Sequence, residues 1–156
     1  MFHTNSLEDN KKSFNLTGQL AEMYILAGNY DVAKKMLIKT VEGASETFGD
    51  SSFEKGLAMN SLATCLERLE EHADAEIILL KALALEGFGR SVDKEHFKSI
   101  SEAFFNLGVV QLTHLNKYGE ALKNFEKSKQ IKVSNGVPTN DVSIIEINDF
   151  IKRSML

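Results

Sequence analysis

The chain has 156 residues, a formal net charge of -4, and 26% charged against 43% hydrophobic residues, which suits a single domain with a sizeable core. No run of Lys or Arg exceeds two, so the basic stripe that would hold a nucleic-acid backbone is missing, and no apolar stretch approaches the ~20 residues of a membrane span. The opening MFHTNSLEDNKK lacks the apolar centre of a signal peptide, and the single Cys65 has no intrachain disulfide partner, so a cytoplasmic location is expected, with neither nucleic acid nor membrane as partner.

Apolar residues spaced by three and four predict seven helices, near 10–27, 30–47, 52–69, 73–87, 94–114, 118–133 and 140–154. In the first, Phe14, Leu16, Leu20, Met23, Tyr24 and Ala27 share one side, and Leu20 is expected in the core. The second carries Tyr30, Ala33, Met36, Leu37, Thr40, Val41 and Ala44 in the same spacing. Leu62, Ala63, Ala75, Leu79 and Ala82 mark the third and fourth, and Leu107, Gly108, Ala121 and Phe125 mark the fifth and sixth. The seventh follows Pro138, with Asp141 as its N-cap and an apolar side through Val142, Ile145, Phe150 and Ile151. Its SIIEI run reads as a strand by composition, but a lone strand has no partner here, so a helix covering the last apolar face is expected.

The first six helices state one pattern three times. The reference leucines Leu20, Leu62 and Leu107 are spaced 42 and 45 residues apart, and the alanines Ala33, Ala75 and Ala121 are spaced 42 and 46 apart. Three residues before each Ala stands Tyr30, His72 or Tyr118, and four after it Leu37, Leu79 or Phe125. The third copy holds one extra residue in or beside its turn, Thr113 to Asn116. Phe48-Gly49, Phe88-Gly89 and Asn135-Gly136 close the units, as glycine tolerates the left-handed backbone that ends a helix. The small residues let paired helices approach closely, and a larger side chain there overpacks at about 1–3 kcal/mol.

This pattern resembles the tetratricopeptide repeat (TPR) over roughly residues 14–136, though no copy has the Trp or closing Pro of that signature. Units of 42 residues, with segments such as FGDSSFEKGLAMNSLA, are similar to the kinesin-light-chain type. The resemblance implies an all-α fold in a single domain. It would be a right-handed superhelix of three helix-turn-helix units, about 14–49, 56–89 and 101–136, plus a capping helix at about 140–154.

Catalytic signatures are missing from the sequence. His3, His72, His96 and His114 form no HExxH and stand beside no cysteine at ligand spacing, so no metal or other cofactor is expected. His72 is read as a packing ring in its turn, and His96, within DKEH, as orienting its loop. Cys65, among Leu62, Leu66 and Leu69, reads as buried filler. Gly87-Phe88-Gly89 follows a helix rather than a strand, the wrong setting for a dinucleotide loop, and Glu70-Glu71 reads as a solvated turn. The chain is therefore expected not to be an enzyme.

The resemblance implies instead a concave wall built from the first helix of each pair, where a peptide or helix of a protein partner binds. Carried over by register, that wall comprises Asn15, Gly18, Gln19, Glu22 and Ile25, then Leu57, Asn60, Ser61, Thr64, Glu67 and Arg68, then Glu102, Phe105, Asn106, Val109 and Leu112. Gln19, Ser61 and Asn106, each just before the reference Leu, could bond an extended backbone. Glu22, Glu67 and Glu102 outnumber Arg68. Where related domains clamp acidic C-terminal tails with Lys, Asn and Arg, this chain has Gly18, Glu22, Ser61, Glu102 and Asn106, without the basic members. An apolar ligand with basic residues is expected, anchored by Leu57, Phe105, Val109 and Leu112. The alternative is a structural or regulatory protein whose groove is filled by its own N-terminal segment, with Phe2 and Leu7, or by a second copy in a homo-oligomer.

Overall fold

The computed structural model describes residues 2–90 and 92–156, with side chains from Ser6 onward, so the side chains of Phe2 and His3 lie outside the described residues. Seven α-helices and no strand occur among them: α1 (Phe2–Leu26), α2 (Tyr30–Phe48), α3 (Phe53–Arg68), α4 (His72–Leu83), α5 (Phe97–Thr113), α6 (Tyr118–Ser134) and α7 (Val142–Ser154). The fold is an all-α helical repeat. No described helix is long and apolar enough to cross a membrane.

Three helix bounds differ from the expected ones. Helix α1 begins at Phe2 rather than near residue 10. Its residues 6–12 are all exposed, so they carry no apolar period to read, although Leu, Glu and Lys favour helix intrinsically. Helix α4 stops at Leu83 rather than near 87, because the chain turns back: the Gly87 N–H bonds the Ser51 carbonyl at 2.8 Å, and the fully buried Phe88 ring presses on Gly56. Helix α5 starts at Phe97 rather than near 94, since Asp93 draws the Glu95 and His96 N–H groups into a loop. As expected, His96 orients that loop, its ring stacking on Phe53 at 3.7 Å between centroids.

The helices form two layers. Each packs on its neighbours in the chain, and in addition α1 touches α3, α3 touches α5 and α5 touches α7, whereas α2, α4 and α6 do not touch one another. The odd helices are thus the closer-spaced layer, as the inner side of a curved stack must be. Between the layers, Ala33, Ala75 and Ala121 are fully buried, as their spacing predicted. At Gly108 a Cβ would lie 2.7 Å from the Phe125 ring, so this crossing admits only hydrogen.

Each intra-pair turn holds one residue in the left-handed region: Gly28 (φ 81°), Glu70 (φ 61°) and Asn116 (φ 54°). The next N–H then reaches back into the preceding helix, Asn29 to Tyr24 and Glu71 to Leu66, five residues back and both at 2.8 Å. In the third turn Lys117 reaches Gln111, six residues back. The extra residue of the third copy is absorbed there.

Two core expectations need correction. Leu20 is 44% exposed, whereas its counterparts Leu62 and Leu107 are 6% and 1% exposed. The latter lie on helices that pack against the preceding pair, α3 on α2 and α5 on α4; among the described residues no preceding pair covers α1. Helix α7 is capped by Asp141, whose carboxylate accepts the Ser143 N–H at 2.9 Å, but it buries Ile144 and Ile147, not Val142 and Ile145, which are exposed. Ile144, Ile147, Phe150 and Ile151 share the side facing α5 and α6, and Val142 and Ile145 lie off it.

Candidate functional site

Thirteen of the sixteen residues carried over to the wall line clefts on the inner layer. Asn15, Gln19, Glu22 and Ser61, with Gly18 and Leu57, border one of about 320 Å³ between α1 and α3. Thr64, Glu67, Arg68, Asn106 and Val109 border a smaller one of about 120 Å³ between α3 and α5. Glu102, Phe105 and Asn106 border the largest, about 720 Å³, which continues to the α6–α7 loop and α7. Asn106 is common to the last two, so these run on from one another.

The exceptions are Ile25, which packs against the core, Leu112 and Asn60, and the fate of Asn60 is the most specific. Asn60 is 5% exposed, and its Oδ1 accepts the Asn106 Nδ2–H at 3.2 Å. It supports Asn106 from beneath instead of facing the groove, because α3 and α5 touch at this register. Leu112 is likewise buried, with Phe125 and Ile147, so it offers no anchor. Phe105 remains half-buried, its ring 5.1 Å from Phe150 and 5.6 Å from Phe125 between centroids. Glu22, Arg68 and Glu102 are exposed.

A buried polar chain fixes the layer behind this wall. Glu76 accepts from Gln111 Nε2 at 3.0 Å and from Lys117 Nζ at 2.7 Å, while Asn124 Nδ2 donates to Gln111 Oε1 at 2.6 Å, joining α4, α5 and α6. Burial alone would push the Glu76 carboxyl up, but Lys117 and Gln111 together outweigh it and hold it below the usual range. The hydrogen bond to Glu76 raises Lys117 in turn. Cys65 is fully buried, and burial pushes its thiol up to about 11, so it is an inert packing group as its neighbours implied.

One polar cluster escaped the sequence reading. His72 is a packing ring as expected, but it stacks on His114, at 3.6 Å between centroids and 4° between planes. Glu67 reaches both, with Oε1 2.8 Å from His72 Nδ1 and Oε2 3.9 Å from His114 Nε2. The signal was faint: His72 standing where the other copies have Tyr. Lys98, Lys132, Asp141 and Glu146 of the largest cleft were also missed: Lys98 lies in the first turn of α5, Lys132 in the last turn of α6, and Asp141 and Glu146 at the cap and on the body of α7, all outside the wall register.

A family model for the tetratricopeptide repeat matches residues 13–85. No curated protein matches the chain in sequence. Among solved structures, it is similar to the nearly identical TPR-like repeats of a Podosopora anserina protein described as a kinesin light chain, and to a single-substitution variant of it. Both superpose with a TM-score of 0.76 at 16% identity over 91% of this chain. The chain spans 65% of the length of those structures.

Proposed function

We propose, from the tetratricopeptide-repeat match over residues 13–85 and a fold similar to that of the kinesin-light-chain repeats, that this chain is a non-catalytic adaptor or scaffold in the cytoplasm, holding a peptide or helix of a partner protein against its inner layer. TPR repeats are in general protein–protein interaction modules. The observation that carries the reading here is the run of clefts along α1, α3, α5 and α7, bordered by Gln19, Ser61 and Asn106 in register. Polar side chains repeated at one register can meet the repeating backbone of an extended or helical ligand.

The ligand is apolar with basic residues. Glu22 and Glu102 present exposed carboxylates, and the basic clamp that an acidic tail would require is missing from Gly18, Glu22, Ser61, Glu102 and Asn106. Leu57, Phe105 and Val109, all half-buried, supply the apolar contacts. The test is selection from a random peptide library on the purified chain, followed by affinity measurement against the double variant Glu22→Arg/Glu102→Arg. Enriched peptides should carry an aliphatic or aromatic anchor beside Lys or Arg and bind the variant at least about tenfold more weakly, a change of roughly 1.4 kcal/mol. Enrichment of acidic peptides, or equal affinity for both proteins, would overturn the reading.

The exposed stripe Leu16, Leu20 and Met23 on α1 favours a second reading, self-association through that end. Sedimentation velocity checks it: a dimer dissolved by Leu16→Glu/Met23→Glu supports this reading, and a monomer at all concentrations removes it. Occupation of the groove by the N-terminal segment has less support, since residues 6–12 continue α1 as exposed helix.

A further inference from the structure

We infer that Glu67, His72 and His114 form a binding site for one divalent transition-metal ion of the zinc, nickel or copper class at the rim of the groove. The three side chains come from three elements: Glu67 from the last turn of α3, His72 from the first residue of α4, and His114 from the end of α5. Each offers a ligand atom, and these atoms all lie within 4.8 Å of one another. Two imidazole nitrogens and one carboxylate are a donor set that suits these ions and leaves a fourth position open.

The local departures from the repeat pattern supply the ligands. His72 stands at the position of Tyr30 and Tyr118, where a phenol ring fills the turn without a ligand nitrogen. His114 lies in the stretch that carries the extra residue of the third copy. The histidine at 72 is not required by the repeat, since tyrosine serves the other two turns. No Lys or Arg among the described residues pairs with Glu67, whose ion-pair contacts are to His72 and His114.

An ion lies near the plane of each imidazole that binds it, so coordination turns His72 and His114 out of their parallel stack. With 22% to 40% of these three side chains exposed, the rings have room to turn. The ion would pin α3, α4 and α5 together and so join the second pair to the third. Glu67 also borders the cleft with Thr64, Asn106 and Val109, so the site lies at the edge of that cleft.

The test titrates the full metal-stripped chain with ZnCl₂ by calorimetry and thermal melting, and with CoCl₂ by visible absorption. His72→Tyr restores the residue of the other copies and should fold normally; His114→Gln is the second variant, and circular dichroism checks both. The expected result is one Zn²⁺ per chain, a melting temperature raised in proportion to saturation, and Co²⁺ bands of a low-symmetry nitrogen and oxygen site. Each variant should bind at least about tenfold more weakly. Absence of binding by the wild-type chain, equal binding by folded variants, or one ion per two chains with dimerisation would overturn the assignment.

Discussion

Leu20, Leu62 and Leu107 hold one position in three copies of a repeat, yet the first is exposed and the other two are buried. The difference lies in the neighbours: α2 packs on α3 and α4 on α5, and among the described residues no helix lies against α1 in the same way. In a stacked fold, a position prescribes which way a side chain faces, and the adjoining pair determines whether it is covered. The interior pairs are therefore where stability concentrates, and the α1 end is where a hydrophobic face remains open.

The strongest way to break this contrast is truncation of the equivalent leucines. Leu107→Ala should cost about 2–5 kcal/mol in urea unfolding, and Leu62→Ala a similar amount, whereas Leu20→Ala should cost less than about 1 kcal/mol. Equal losses at all three would show that Leu20 is covered in solution. The glycines sharpen the point. Gly56→Ala would drive a Cβ into the buried Phe88 ring, at about 1–3 kcal/mol, while Gly18→Ala on α1 meets nothing within 4 Å and should gain about 0.5–1 kcal/mol. Thermal melting of the two single variants separates them by sign.

Electrostatics should divide the molecule in the same way. The Glu76 carboxyl is held below its ordinary value of 4.5, so its contribution is present above that pH and fades as the pH falls through the lowered folded value. Acid titration of stability should show this loss below about pH 4.5 in the wild type and a flatter limb in Glu76→Gln. Glu71→Gln, at the more open Lys34 pair, should cost less stability at neutral pH than Glu76→Gln. The smallest expected effect is at the second turn, where Glu70 adopts φ 61° although Gly28 serves the first. Glu70→Gly should stabilise by up to about 1 kcal/mol in chemical denaturation.

Much of the fold was legible because a helical pair writes its packing into spacing. The alanines at 33, 75 and 121 and the register of the leucines name the facing layers directly. What stayed illegible arises where spacing is silent. The first turns of α1 have no apolar stripe, and the end of α4 depends on Gly87 meeting Ser51, a contact across 36 residues of chain. Register carried Gln19, Ser61 and Asn106 to positions that border clefts, but it could not show that Asn60 is spent on Asn106. Nor could it bring His72 to His114, which are 42 residues apart and meet only because α4 packs on α5.

The central claim is that the inner layer receives the ligand. The most direct measurement is amide chemical-shift mapping of the isotopically labelled chain titrated with a library-selected peptide. The account predicts saturable shifts along α1, α3 and α5, centred on Gln19, Ser61 and Asn106. Shifts confined to α2, α4 and α6, or to the Leu16, Leu20 and Met23 stripe, would contradict it.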